Sequence, residues 1–171
     1  MQEFKVSVSE ILGHPGLYRD VKVKGSLPDL GNALARVSDE PVEGDLRAES
    51  VVEGILVTGP VTAPAHFSCA RCLTPISTDV RLEVCELFVA PGHEAPAEEE
   101  SYEVHGEEID LEPMLRDAIA LALPLNPVCR EDCAGICATC GKDLNSGACD
   151  CTEEELDPRW AALSDLRDKL A

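Results

Sequence analysis

The chain has 171 residues, enough for one ordinary domain with an appendage, and its 44% hydrophobic content supports a real core. Aromatic residues make up only 4%, which argues against base-stacking platforms and aromatic ligand cages. A net charge of −19, from 33 acidic and 14 basic residues, disfavours extensive nucleic-acid binding and favours a basic protein partner.

The N-terminal stretch MQEFKVSVSEILGHPG alternates polar and apolar residues. It lacks the basic and apolar regions of a secretory signal, and no run of 18 apolar residues is present to span a membrane. The expected compartment is therefore the cytoplasm. Thiols stay reduced there, so clustered cysteines point to metal or redox chemistry before disulfides. Nine cysteines also leave one unpaired.

The first 90 residues read mostly as strands. Phe4, Val6 and Val8 alternate, as do Val21 and Val23 after the turn-like GHPG. Residues 27–44 are rich in Pro, Gly, Asp and Asn and have no clear assignment. Three β-rich runs follow: DLRAESVVEGILVTG, PVTAPAHFSCARC and ISTDVRLEVCELFV. Turn signals at Gly59-Pro60 and Thr74-Pro75 divide them into an antiparallel meander or partly open barrel. Pro60 and Pro64 predict an edge or irregular position for the middle strand. Ile76, Thr78, Val80, Leu82 and Val84 form one alternating face, and Cys85 reads as a small buried hydrophobe.

Residues 91–110 carry eight acids and no Lys or Arg, and read as a solvated loop that also suits a basic partner. Asp110 then caps a core helix over 110–123, with Leu111, Met114, Leu115, Ala118, Ile119, Ala122 and Leu123 at helical spacing. Pro113 fits the first turn and Pro124 ends the pattern. The division expected is a β-rich domain over 1–128 and a cysteine-rich segment with a terminal helix over 129–171. Thr152 and Glu155 suggest a capping box, and Trp160, Leu163, Leu166 and Leu170 form one apolar stripe. The fold class is α+β.

Six of the nine cysteines fall in CREDCAGICATCGKDLNSGACDC, residues 129–151. Cys137 and Cys140 form a C-x2-C loop followed by Gly141, which suits the left-handed backbone of a zinc knuckle. Cys149 and Cys151, beyond a loop marked by Asn145, Ser146 and Gly147, complete a first tetrahedral site. Cys69 and Cys72 in SCARC, with Cys129 and Cys133, offer a second site that would clamp the two halves of the chain. The alternative is one site, with Cys69 and Cys72 free in a β-turn and Cys129 or Cys133 joining the first group. The expected cofactor is accordingly Zn2+, one or two ions per chain.

Enzymatic signals are absent from this pattern. His14, His66, His93 and His105 are scattered, and there is no nucleophile elbow and no Gly-rich phosphate loop. Neither C-x2-C pair sits in a βαβ pattern. The chain therefore reads as a non-enzyme. Lys and Arg are dispersed, and the only close basic group is Arg19, Lys22 and Lys24.

SCARCLTP on a β-run, EIDLEPMLRDAIALALPLNPVC, the cysteine segment and DPRWAAL together resemble the YceD family, the large ribosomal RNA subunit accumulation proteins. The resemblance implies a non-enzymatic factor, cytosolic in bacteria or plastidic, needed for accumulation of the large-subunit ribosomal RNA. Cys69 and Cys72 match a turn found widely in that family, and the cysteines of 129–151 match a subset with a C-terminal ribbon. Ala138 stands where proline is expected. The expected partner is a basic ribosomal protein or large-subunit precursor, with weak or no direct RNA binding. A direct RNA-binding zinc protein and a thiol-redox or zinc-buffering protein are the alternatives.

Overall fold

A computed structural model describes residues 4–93 and 101–151. Two compact units divide the chain, residues 1–133 and 134–171. The first holds every strand and the single helix among the described residues. Its elements run β1 (Lys5–Ser7), β2 (Tyr18–Gly25), β3 (Ala35–Val37), β4 (Val42–Ser50), β5 (Gly54–Ser68), β6 (Pro75–Val89), β7 (Tyr102–Glu103), β8 (Glu108–Asp110) and α1 (Leu111–Ala122).

β4, β5 and β6 form the antiparallel meander predicted from alternation, with β2 beyond β4. β3 pairs with the far end of β5, and β7 adds in parallel at the end of β6. The sheet is open, not a closed barrel. β1 and β8 form a separate two-stranded ladder. One face of the sheet supplies Val21, Val23, Leu46, Val57, Val61 and Val84 to the core, against Phe4, Val6 and Val8 from the N-terminus. α1 covers it with Leu111, Met114, Leu115 and Ile119, all buried. The Asp110 carboxylate caps the helix, accepting the Glu112 N–H at 3.0 Å.

Gly59-Pro60 is not a turn: β5 runs unbroken through it, and the turn before β5 lies at 51–53. Of the edge or irregular position expected from the prolines, the structure has the second: β6 flanks one side of β5 and β3 and β4 share the other, but the pairing with β4 is broken at residues 59–60. The two prolines are tolerated because their missing N–H groups face away from β6. The ladder between β4 and β5 is interrupted opposite Pro60, with pairing at Gly44↔Val61 and Arg47↔Thr58 but none between, and Pro64 lies between the β4 and β3 pairings. Gly59 fits there with φ of 140°, where a Cβ would collide with the Asp45 carbonyl.

Cys85 is exposed, since strand alternation places it on the solvent face opposite buried Val84. The acidic stretch 91–110 is not wholly loop. Tyr102 stacks near Phe88 at 5.3 Å, and buried Val104 and Ile109 draw β7 and β8 into the fold. The unassigned stretch 27–44 holds β3 and the start of β4, and Leu27, Ala35, Val37 and Val42 are buried. The triple Glu98–Glu100 and the terminal stripe from Trp160 to Leu170 lie outside the described residues.

Candidate metal centres

The eight predicted cysteine ligands gather into two groups of four. Within each group all four sulfurs lie within 4.8 Å of one another. The first-unit group consists of Cys69, Cys72, Cys129 and Cys133, and the second-unit group of Cys137, Cys140, Cys149 and Cys151.

In the first unit, SCARC forms the turn from β5 to β6. The Cys69 N–H donates to the Thr74 carbonyl at 2.9 Å and the Leu73 N–H to the Cys69 carbonyl at 2.9 Å. The segment after α1 is brought to this turn by the Ala70 N–H, which donates to the Pro127 carbonyl at 2.7 Å. Arg71 completes the junction, its guanidinium donating to the carbonyls of Glu131 and Cys133 at 3.0 Å each. This role of Arg71 is not legible in the sequence, because an arginine bonding to carbonyls leaves no pattern in spacing.

The resulting sulfur geometry is specific. Cys69 and Cys133 sulfurs are 3.9 Å apart, and those of Cys72 and Cys129 are 3.6 Å apart. A tetrahedron of sulfurs at about 2.3 Å from Zn2+ has edges of about 3.8 Å. A disulfide would require about 2.05 Å. All nine cysteines are free thiols.

The second unit repeats the same local design. The Gly141 N–H donates to the Cys137 carbonyl at 2.9 Å, as Leu73 does to Cys69. Gly141 has φ of 72° and Leu73 has φ of 61°, so both C-x2-C turns end in a left-handed residue. The Cys137 N–H donates to the Lys142 carbonyl at 2.9 Å, and the Leu144 N–H to the Gly135 carbonyl at 2.9 Å. Asp143 caps a short 3-10 turn over Leu144–Ser146, and the Asn145 side chain accepts the Ala134 N–H at 2.8 Å. Lys142 reaches the Ala148 carbonyl at 2.7 Å, holding the loop that returns Cys149 and Cys151.

Electrostatics in each group favour a cation. Desolvation raises the Cys69 pKa, but the N–H groups of Cys72, Cys129 and Arg71 outweigh it and bring the thiol down to about 6. Cys137 is likewise lowered to about 6, chiefly by the N–H groups of Cys140 and Thr139. Cys129 is pushed up to about 12 by desolvation and by its neighbours Cys133, Cys72 and Cys69. Cys151 is pushed up to about 12 by Cys140, by desolvation and by Cys137. Amide dipoles thus stabilise the first thiolate of each group, while mutual repulsion resists the last. A divalent cation removes that resistance. Either group could hold a metal ion.

The sequence profile described as large ribosomal RNA subunit accumulation protein YceD matches residues 57–167. The chain belongs to the YceD family. It is similar to an uncharacterised protein of Mycobacterium tuberculosis, 47% identical over 125 residues, 71% of this chain and 60% of that one. An uncharacterised protein of Mycobacterium leprae is 40% identical over 152 residues, 85% of this chain and 68% of that one. The chloroplastic large ribosomal RNA subunit accumulation protein YCED homolog 1 of Arabidopsis thaliana is 36% identical over 63 residues, 37% of this chain and 20% of that one. The chain therefore spans about 60% of the Mycobacterium tuberculosis relative. No solved structure matches. Among the described residues no helix is long and apolar enough to cross a membrane.

Proposed function

We propose that this YceD-family chain is a non-enzymatic factor in large-subunit biogenesis, stapled by two zinc ions, that supports ribosomal RNA accumulation by holding a basic ribosomal protein or assembly intermediate. The observation that carries the choice of partner is the neutralisation of its basic cluster. Lys22 pairs with Asp45 at 3.4 Å and Lys24 with Glu43 at 2.7 Å, both across the β2–β4 ladder. Arg19 donates to the Ser7 carbonyl at 2.6 Å. Arg47 pairs with Asp20 at 3.3 Å while lying over the Tyr18 ring at 4.1 Å. These cations are matched within the protein, leaving no basic stripe on this face for a phosphate backbone, in a molecule of net charge −19.

Zn2+ suits both centres because four thiolates whose sulfurs lie within 4.8 Å of one another can close around one ion. Bound there, the metal would be structural: all four positions are taken by sulfur, so none remains for substrate. Cys69 and Cys72 would hold it from the β5–β6 turn, Cys129 and Cys133 from the segment after α1. Work on ribosomal precursors implies the cytoplasm. The test is paired: binding to purified basic large-subunit proteins against gel shift with naked large-subunit RNA, both across a salt series. The account expects protein binding whose rate falls as salt rises. Tight, specific RNA binding without any ribosomal protein would overturn it.

A further inference from the structure

β6 is the longest exposed edge in the fold. β7 pairs only at the end of β6, opposite Phe88 and Val89, and among the described residues no backbone group pairs with the outer side of residues 75–86. The direction of each amide follows from the ladder. Cys69 donates to Thr74, so that pair is hydrogen-bonded, and the register from Ser68↔Pro75 to Gly54↔Val89 has no bulge. Hydrogen-bonded and open pairs alternate along an antiparallel ladder. Ser77, Asp79, Arg81, Glu83, Cys85 and Leu87 therefore turn their N–H and C=O groups away from β5. The Val89 carbonyl has the same parity and is indeed taken from outside, by the Val104 N–H at 2.9 Å.

Natural edges of this length, about 40 Å over residues 75–86, are normally shortened, bulged or covered. This one carries no bulge, and no described residue covers it. On the core side of the same edge, Ile76, Val80 and Leu82 pack on the core yet stay only partly buried, so an added strand would complete their cover. On the solvent side Arg81 is drawn to Asp79 at 3.8 Å, and among the described residues no cation pairs with Glu83 or, on the core side, with Glu86. The edge thus combines the outward N–H groups of Ser77, Asp79, Arg81, Glu83 and Cys85, which no described residue pairs, with an apolar row on one face and acid that no described cation opposes.

We infer that the outer edge of β6 is the docking site for an extended basic segment, which adds as a strand with Lys or Arg toward Glu83 and aliphatic side chains toward Val80 and Leu82. The inference rests on the basic-partner reading above and specifies where and how that partner binds. Backbone pairing gives the affinity, and the alternating basic and aliphatic pattern gives the selectivity. A second copy of the chain is the rival occupant. Antiparallel self-pairing about Leu82 would set Arg81 opposite Glu83, but each copy carries −19 and long-range repulsion opposes the encounter.

The probe is a nine-residue peptide of alternating lysine and valine, added to the full chain, with a glutamate–valine peptide as control. The readout is amide hydrogen exchange. The lysine peptide should slow exchange at Asp79, Arg81, Glu83 and Cys85 by at least about tenfold, while Val80 and Val84, already bonded to β5, change little. Unchanged exchange at the four outward amides overturns the inference. So does protection that grows with protein concentration in the absence of peptide, which would assign the edge to a second copy. Glu83→Pro removes one outward donor without touching the β5 ladder, and should weaken the peptide at least about tenfold, whereas Glu83→Gln should weaken it less. Should basic large-subunit proteins bind wild type and Glu83→Pro equally, this site is wrong and the proposed function stands. If they bind neither, that function fails, while the peptide experiment still decides the edge.

Discussion

Leu73 and Gly141 occupy the same place in two copies of one turn, yet only one of them is glycine. Leucine at φ of 61° strains the backbone by about 1–2 kcal/mol, and its side chain, 58% exposed, recovers little by burial. Leu73→Gly should therefore be neutral or stabilising by up to about 1 kcal/mol in thermal unfolding. Gly141→Ala should loosen metal at the second centre, read as faster release to a chelator, because a Cβ at φ of 72° strains the backbone by about 1–2 kcal/mol. The turn at Cys137–Gly141 was legible because glycine announces it, whereas the identical backbone at Leu73 was hidden by a residue with no left-handed preference. Acidity is the other lever at this scale. Cys69 and Cys137, lowered to about 6, are thiolates above that pH and are neutralised below it. Protons then compete with incoming metal, so the zinc affinity of the metal-free chain, read by competition with a chromogenic chelator, should fall as pH drops through about 6.

Among the elements, α1 repays quantitative testing. Ile119 is fully buried between helix and sheet, so Ile119→Ala should destabilise the first unit by about 2–5 kcal/mol. Leu121 is 87% exposed on the same helix, and Leu121→Ala should fall within about 0.5 kcal/mol of wild type. Chemical denaturation followed by far-UV circular dichroism measures both. The helix was readable because its cap, proline and apolar spacing agree. β5 was not, because Gly59-Pro60 carries a strong local turn signal that the tertiary ladder overrides: with β6 paired all along the other side, losing two rungs to β4 is tolerable. Cys85 misled for a related reason. Its apolar neighbours in sequence, Val84 and Leu87, say nothing of which face of the strand it shares, and alternation sets it beside Glu83.

At the scale of the molecule, the pairing of Cys137 with Cys140 was the most legible feature, since C-x2-C spacing needs no tertiary knowledge there. The grouping of Cys69 and Cys72 with Cys129 and Cys133 required the β5–β6 turn to meet the segment after α1, which spacing alone left open. The carbonyl contacts of Arg71 show what brings them together. A metal there would lock the meander to the end of the core helix, stabilising a core poor in aromatics. Elemental analysis of the purified full chain tests this most directly. The account predicts close to two Zn per chain, falling to about one in Cys69→Ser and to about one in Cys140→Ser, each loss confined to its own centre. A folded protein with no bound metal, or a ratio of one that Cys69→Ser leaves unchanged, would contradict it.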